Sequence, residues 1–360
     1  MDWRGKRVLV TGGAGFLGSN LCHALTGRGA DVIAVDAMLP EMGANPHNLE
    51  GSGARLVVAD LRTADVTPLC EGVDVLFNFA AQTSHAGSML DPLGDLSINA
   101  QIQLRLIGAM RNGAPNAVVV HASTRQFYGR PQYLPVDEAH PIVPPDFNGV
   151  SKWAGEQYWL LENRIQGRRV TALRLTNCYG PRLRIKDHRQ TFLGIWIRRV
   201  LEGAPFEVWG GEQLRDLAHS DDVVEAFITA AVNMMRDGGA EVTAPGPLGP
   251  PRRALPGDLL EREAPAAARP VVGCEGRAFN IGGCPPISLR DLADALVDAA
   301  GQGSYETRSF PADRAAIDIG SFHADDSAFR TATGWAPRVT LAEGLRRTVD
   351  WFRPRLADYL

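Results

Sequence analysis

Short apolar runs separated by longer amphipathic stretches set the rhythm of the first half of the chain. Runs at 7–10, 32–35, 55–59, 73–79, 117–120 and 169–175 are rich in Val, Leu and Ala. They show little polar alternation, as expected of strands buried on both faces of a parallel sheet. Helix-length segments lie between them. Leu21 and Leu25 share one helical face, and Asp91-Pro92 opens a helix to about residue 112. Val150, Trp153, Ala154 and Leu161 form the apolar face of another helix that starts near Asn148. Strands and helices alternating in this way predict an α/β fold: a doubly wound parallel sheet with right-handed crossovers.

Beyond Pro181 the elements become shorter. The pattern predicts a helix over 190–202, a strand over 206–209, a helix over 222–233, and renewed order at Phe279-Asn280-Ile281. Ser288 with Asp291, and Thr340 with Glu343, have the spacing that starts a helix with a capping box. Residues 236–275 hold seven prolines and no apolar period. A flexible insertion is expected there. Residues 1–181 thus read as one nucleotide-binding domain, to which some later segments return. Residues 182–360 read mainly as a smaller mixed domain over its crevice, where open α/β sheets bind ligands.

Composition narrows the partners. The 360 residues carry a formal charge of −4 with no basic stripe, which argues against nucleic acid. No apolar run approaches the ~18 residues of a membrane span. Met1 leads straight into the first strand, leaving no room for a signal peptide, and five cysteines without C-x-x-C spacing suit reduced thiols better than disulfides or a metal. A cytoplasmic protein without a metal is the expectation.

The most informative stretch comes after the first strand. Gly12, Gly15 and Gly18 sit between that strand and the first helix. Gly12 allows a tight turn, Gly15 lets a pyrophosphate approach the backbone, and Gly18 lets helix and strand pack closely. The second strand ends in Asp36, which suits a ribose 2′-OH and repels a 2′-phosphate, so NAD is expected rather than NADP. Asp60, at the end of the third strand, is placed either for the adenine amino group or as a helix cap.

Further residues join this stretch: Asp60-Leu61, Ala80-Ala81, Ser123-Thr124 with Tyr128-Gly129, Ser151-Lys152, Asn177 with Tyr179-Gly180-Pro181, and Gln213-Leu214-Arg215-Asp216. Together they resemble the extended short-chain dehydrogenase/reductase family of nucleotide-sugar epimerases and dehydratases, over nearly the whole chain. The resemblance implies a Rossmann-type NAD domain. Its cofactor residues would be Gly12, Gly15, Phe16, Leu17, Gly18, Asp36, Asp60, Leu61, Ala80, Ala81, Gln82, Asn99 and Lys152. It also implies Asn177, Arg215 and Arg314 as ligands of a nucleotide sugar. A homodimer is implied through the helices near 92–112 and 148–165, with Ile102, Leu104, Leu106, Trp153, Leu160 and Leu161 as the apolar residues beyond one face.

In the resembling family a tyrosine phenolate takes the proton of a sugar hydroxyl while the carbon gives hydride to NAD. A lysine four residues on depresses the phenol pKa, and a Ser or Thr hydroxyl binds the same oxygen. Here Thr124 and Lys152 match, and the tyrosine position is Asn148, whose amide cannot act as a general base. Four explanations stand open. Another base serves (His85, Tyr128 or a water relayed through Asn148), the substrate arrives already oxidised, the protein binds without turnover, or residue 148 has been substituted. Family members that remove water across C5 and C6 carry a carboxyl pair where Arg125 and Gln126 stand, so 4,6-dehydration is disfavoured. Arg125 is instead suited to a carboxylate or phosphate. The reading is an NAD-dependent nucleotide-sugar epimerase acting at C4 through a 4-keto intermediate. Uronic-acid decarboxylation, dehydration and silent binding are the alternatives.

Overall fold

The computed structural model describes residues 2–39, 42–187, 191–236, 273–310 and 319–360. Nearly all of the expected insertion 236–275, and Arg314, lie outside them. Seven strands make the main sheet: β1 (Arg7–Thr11), β2 (Asp31–Asp36), β3 (Arg55–Val58), β4 (Val75–Asn78), β5 (Val118–Thr124), β6 (Val170–Leu175) and β7 (Ala278–Ile281). Their order is β7-β6-β5-β4-β1-β2-β3, and every neighbouring pair is parallel. The chain winds outward from β1 through β2 and β3, then returns to β4 and winds the other way. The carboxyl ends of β1 and β4 therefore flank the switch point, where such sheets open a crevice.

Burial explains the strand sequences. Val8, Val10, Val75, Phe77, Val118 and Val120 face one core. Leu9, Leu76, Val119 and Val170 face the other. The first core also takes Val223 and Phe227 from the helix Ser220–Arg236, together with Phe279, Phe329 and Trp335. These late segments pack against the sheet. A further core, with Trp196, Phe206, Leu292, Leu345 and Phe352 among its members, is built mainly from the C-terminal half and also takes Phe16 from the first helix. Ser288 and Thr340 cap their helices as expected, each accepting a hydrogen bond from the backbone N–H three residues on.

The helix expected over 91–112 is instead several pieces. A short helix, His85–Leu90, comes before this span; within it Pro92–Leu96 is a short helix, Ser97–Gln101 is a π turn, and Ile102–Gly113 is α-helical. Asp91 ends the first short helix and caps the second, its carboxylate accepting from the Gly94 N–H at 2.9 Å. Of the residues expected at a subunit contact, Ile102 and Leu106 are buried in the chain's own core.

One buried ion pair braces the sheet against the helix Phe147–Gln166. Glu156 accepts from Arg174 Nε at 3.0 Å and Nη2 at 2.7 Å, and from the Ser123 hydroxyl at 2.6 Å. Both partners are almost wholly enclosed. Glu156→Ala leaves the arginine uncompensated and is expected to cost about 3–5 kcal/mol in chemical denaturation. Glu343→Ala, which breaks the exposed pair with Arg347, is expected to cost less than ~1 kcal/mol. Equal losses for the two variants would contradict this ranking.

Candidate functional site

The crevice at the switch point is one continuous cavity. The glycine turn forms its floor. Gly12 has φ +67°, and a Cβ there would lie 2.8 Å from the Phe79 carbonyl group. A Cβ on Gly18 would lie 2.2 Å from the Gly12 oxygen. Gly15 is the N-cap of the helix Phe16–Thr26, which has neither a side-chain cap nor an acidic residue in its first turn. Its leading N–H groups are thus left for an anion. Gly12, Gly15, Phe16, Leu17 and Gly18 all line the cavity.

Asp36 lines it too, at the end of β2. Its carboxylate accepts from the backbone N–H of Ala14 at 3.1 Å and of Met38 at 3.0 Å. Burial nevertheless raises its pKa. These two bonds leave acceptor capacity for a ribose diol. Asp60 is gripped by Arg62, with Nε and Nη2 at 3.0 and 2.7 Å, and this hydrogen bonding holds the carboxyl below its ordinary pKa. Asp60, Leu61, Ala80 and Ala81 also line the cavity. A turn that excludes Cβ atoms, an open helix N-terminus and an aspartate at the end of β2 fit NAD.

The opposite wall carries the candidate reactive groups. Thr124 ends β5, and Lys152 and Asn148 share one face of the helix Phe147–Gln166, one turn apart. Burial pulls the Lys152 pKa down to about 8, while the Asp95 carboxylate works against that fall. Lys152 in turn adds to the effect of burial on His121, which brings that imidazole to about 3. His121 is therefore neutral and bonded to Asn78.

Asn148 is buried. Its amide nitrogen donates to the Gln82 carbonyl and to Asp95 Oδ1, both at 2.9 Å. Both partners can only accept, so the amide is oriented with NH₂ toward them and its oxygen is left as an acceptor. Asn99 donates to the same Asp95 oxygen at 2.8 Å and accepts from the Gln82 N–H at 3.0 Å. Gln82 and Asn99 thus brace the wall without lining the cavity.

Two expected site residues lie elsewhere. Tyr128 is fully buried, donating to Asn280 and accepting from Arg174, and burial pushes its phenol up to about 12. It does not reach the cavity and is corrected to a core residue. Arg215 is also buried outside the cavity, with its guanidinium on the carbonyls of Leu214 and Gly320. Asn177 and Arg125 do line it. Arg125 Nη2 donates to Asn177 Oδ1 at 2.5 Å, and the guanidinium lies 4.6 Å from the centre of the Phe322 ring.

Sequence reasoning missed Asp95 and Asp146. Asp146 caps the helix Phe147–Gln166, accepting from the Gly149 N–H at 2.7 Å, and meets His85 across the cavity wall. Its position directly before that helix was the available signal for the cap. Nothing local marked Asp95 or the contact with His85. Among the described residues no cluster of three or more His, Cys, Asp or Glu is placed to hold a metal, and no helix is long and apolar enough to cross a membrane.

Comparison with known proteins agrees with this geometry. Residues 8–242 match the model of the NAD dependent epimerase/dehydratase family. A UDP-glucose 4-epimerase of Mycolicibacterium smegmatis is 30% identical over 352 residues, covering 96% of this chain and 98% of that protein. A CDP-paratose 2-epimerase of Salmonella typhi is 28% identical, with 96% and 98% covered. The solved structure of a Thermus thermophilus UDP-glucose 4-epimerase in complex with NAD superposes with a TM-score of 0.75 at 26% identity, covering 97% of this chain and 99% of that one. With its parallel sheet, its glycine cradle and these matches, the chain belongs to the NAD-dependent epimerase/dehydratase family.

Proposed function

We propose that the protein is a nucleotide-sugar epimerase that inverts C4 through a 4-keto sugar. The observation that carries this reading is that the glycine cradle, Asp36, Thr124, Lys152 and Asn177 all line one cavity. Bound NAD supplies a reversible hydride acceptor beside the sugar. Asp36 holds the adenosine ribose diol. Lys152 holds the nicotinamide ribose and lends positive charge near the reacting oxygen. Thr124 hydrogen-bonds that oxygen. Asn177 and Arg125 face the diphosphate end, with Arg125 suited to a charge-assisted bidentate contact.

The residue beside Lys152 gives the site its particular character. Asn148 presents a carbonyl oxygen that can accept a hydrogen bond from a sugar hydroxyl and fix its direction. It orients the hydroxyl and leaves the proton to another group. Arg125 and Gln126 offer no carboxyl pair for 4,6-dehydration, and Gln126 is committed to Asp146. Relatives named for 2-epimerisation, 4,6-dehydration and decarboxylation are similar in sequence, so inversion at C4 rests on the site and on the two 4-epimerases compared.

The direct test is turnover. Native protein loaded with NAD and offered UDP-, dTDP- and CDP-linked hexoses is expected to interconvert one pair of C4 epimers, followed by NMR of the sugar. Binding of these compounds without turnover of any would instead support a silent binder. Asn148→Ala is expected to lower kcat by less than about tenfold, well short of the 10²–10⁴-fold associated with a general base.

Cofactor choice rests on Asp36. Native protein should bind NAD in preference to NADP by calorimetry. Asp36→Ala should weaken NAD by roughly 10–100-fold, the worth of a charged hydrogen bond, and narrow the gap to NADP. A native preference for NADP would refute this role.

The assembly proposed is a homodimer. Val150, Trp153, Leu161 and Ile165 are exposed along the helix Phe147–Gln166, and Leu104 is exposed on the neighbouring helix. An apolar stripe of this kind suits a two-fold helix bundle. Light scattering at micromolar concentration should give twice the chain mass, and Trp153→Glu should give one. A native monomer would exclude the bundle.

A further inference from the structure

The site requires a proton acceptor, and Asn148 cannot be it. His85 lines the same cavity as Thr124, Asn148 and Lys152, with 39% of its side chain open. The ring is held from behind: Nδ1 lies 2.9 Å from Asp146 Oδ2, and the Asp146 side chain is completely enclosed. Nδ1 is itself buried and makes no aligned hydrogen bond, so this carboxylate is the polar group at hand to satisfy it. Off-line contacts of this kind are common before substrate binds and tighten afterwards.

Asp146 is held as an anion. Burial acts to raise its pKa, but His85, the Gly149 N–H and Gln126 outweigh this and bring it below the ordinary carboxylate value. An ionised carboxylate only accepts, so the imidazole turns Nδ1–H toward it, and in the neutral ring the lone pair lies on Nε2. The helix His85–Leu90 packs against the helix Phe147–Gln166, which carries Lys152, and against the next short helix, which with its cap carries Asp95 and Asp91. Asp95 is engaged by Asn148 and Asn99.

We infer that His85, oriented by Asp146, is the group that takes and returns the proton of the sugar hydroxyl. This assignment rests on the epimerase reading given above. In the oxidation step the sugar O–H bond breaks and its proton goes to Nε2. The electron pair left on oxygen becomes the second bond of the C=O group, as the carbon's hydrogen leaves with its own pair to the nicotinamide of NAD⁺. The reverse step returns the same proton from the imidazolium and the same hydride to the opposite face. Thr124 and the Asn148 carbonyl oxygen hold the hydroxyl while this happens, and Lys152 favours the developing negative charge on oxygen. His85 does the work that the family assigns to a phenol, and Asp146 is a positioning residue.

The test uses the full chain with bound NAD. His85→Ala is expected to lower kcat by about 10²–10⁴-fold, with the dissociation constants of NAD and the sugar nucleotide held within about twofold. Asp146→Asn keeps the helix cap, since asparagine caps as well as aspartate, and removes the charge. It is expected to lower kcat with little change in KM. A readout independent of turnover is the ¹⁵N spectrum of the His85 ring, which should show the Nδ1–H tautomer in the native protein and lose that preference in Asp146→Asn. Native turnover with His85→Ala within about threefold of it would overturn the proton assignment and leave the epimerase reading intact. An Nε2–H tautomer in the native protein would also overturn it. A native protein that turns over no sugar nucleotide would overturn both.

Discussion

The approach of the glycine turn to the end of β4 governs the geometry of the cavity. There is no room for a side chain at Gly12, because the Phe79 carbonyl group already occupies that space. There is none at Gly18, because the Gly12 oxygen does. Beneath this contact the Thr11 hydroxyl donates to Asn78 at 2.6 Å, tying the ends of β1 and β4 together. Asn78 passes the network on to Gln103 and His121, and Trp159 closes it on Gln103. A satisfied buried network of this kind fixes one arrangement of the strand ends. The cradle for the cofactor and the wall that carries Thr124 are thereby held in one register.

Buried charge is managed unevenly across the molecule, and the unevenness marks the site. Glu156 accepts from Ser123, twice from Arg174 and from Gln157, and braces β5 and β6 against the helix. Lys152, on the same helix one turn earlier, has much less compensation. It is enclosed with only Asp95 pulling its pKa back up, and it settles near 8. That cation is poised to gain from any negative charge brought into the cavity. The neutral His121 beside it keeps a second positive charge away.

Much of the fold could be read from the chain because its signals are local. Strands buried on both faces declare themselves as unbroken apolar runs, and three glycines between strand and helix leave few other geometries. The side-chain constellation at the site was less legible, because its partners are distant in sequence. Asn148 meets Asp95 across 53 residues, and no local pattern announces that contact. Tyr128, one of the alternative bases the sequence left open, shows a related limit. It comes soon after the strand that ends in Thr124, but its phenol turns into the core, toward Arg174 and Asn280. Arg215 shows the same limit: a motif gave the residue, and packing turned its guanidinium onto backbone carbonyls.

The departure from one continuous helix after Asp91 bears directly on Asn148. The π turn at Ser97–Gln101 adds a residue to the helical repeat and rotates the helix Ile102–Gly113 beyond it. Asn99 sits within that turn and Asp95 just before it, and the two side chains meet. Asp95 then serves as a common acceptor for Asn99 and Asn148 and as the nearest anion for Lys152. A phenol at position 148 would bring one O–H where the amide brings two N–H donors, so Asp95 and the Gln82 carbonyl could not both be satisfied by it. Asparagine at 148 is thus built into its surroundings through Asp95, Asn99 and Gln82. On the assignment proposed above, the proton chemistry falls to His85 on a different element, whose ring lies 2.9 Å from the neighbouring cap residue Asp146.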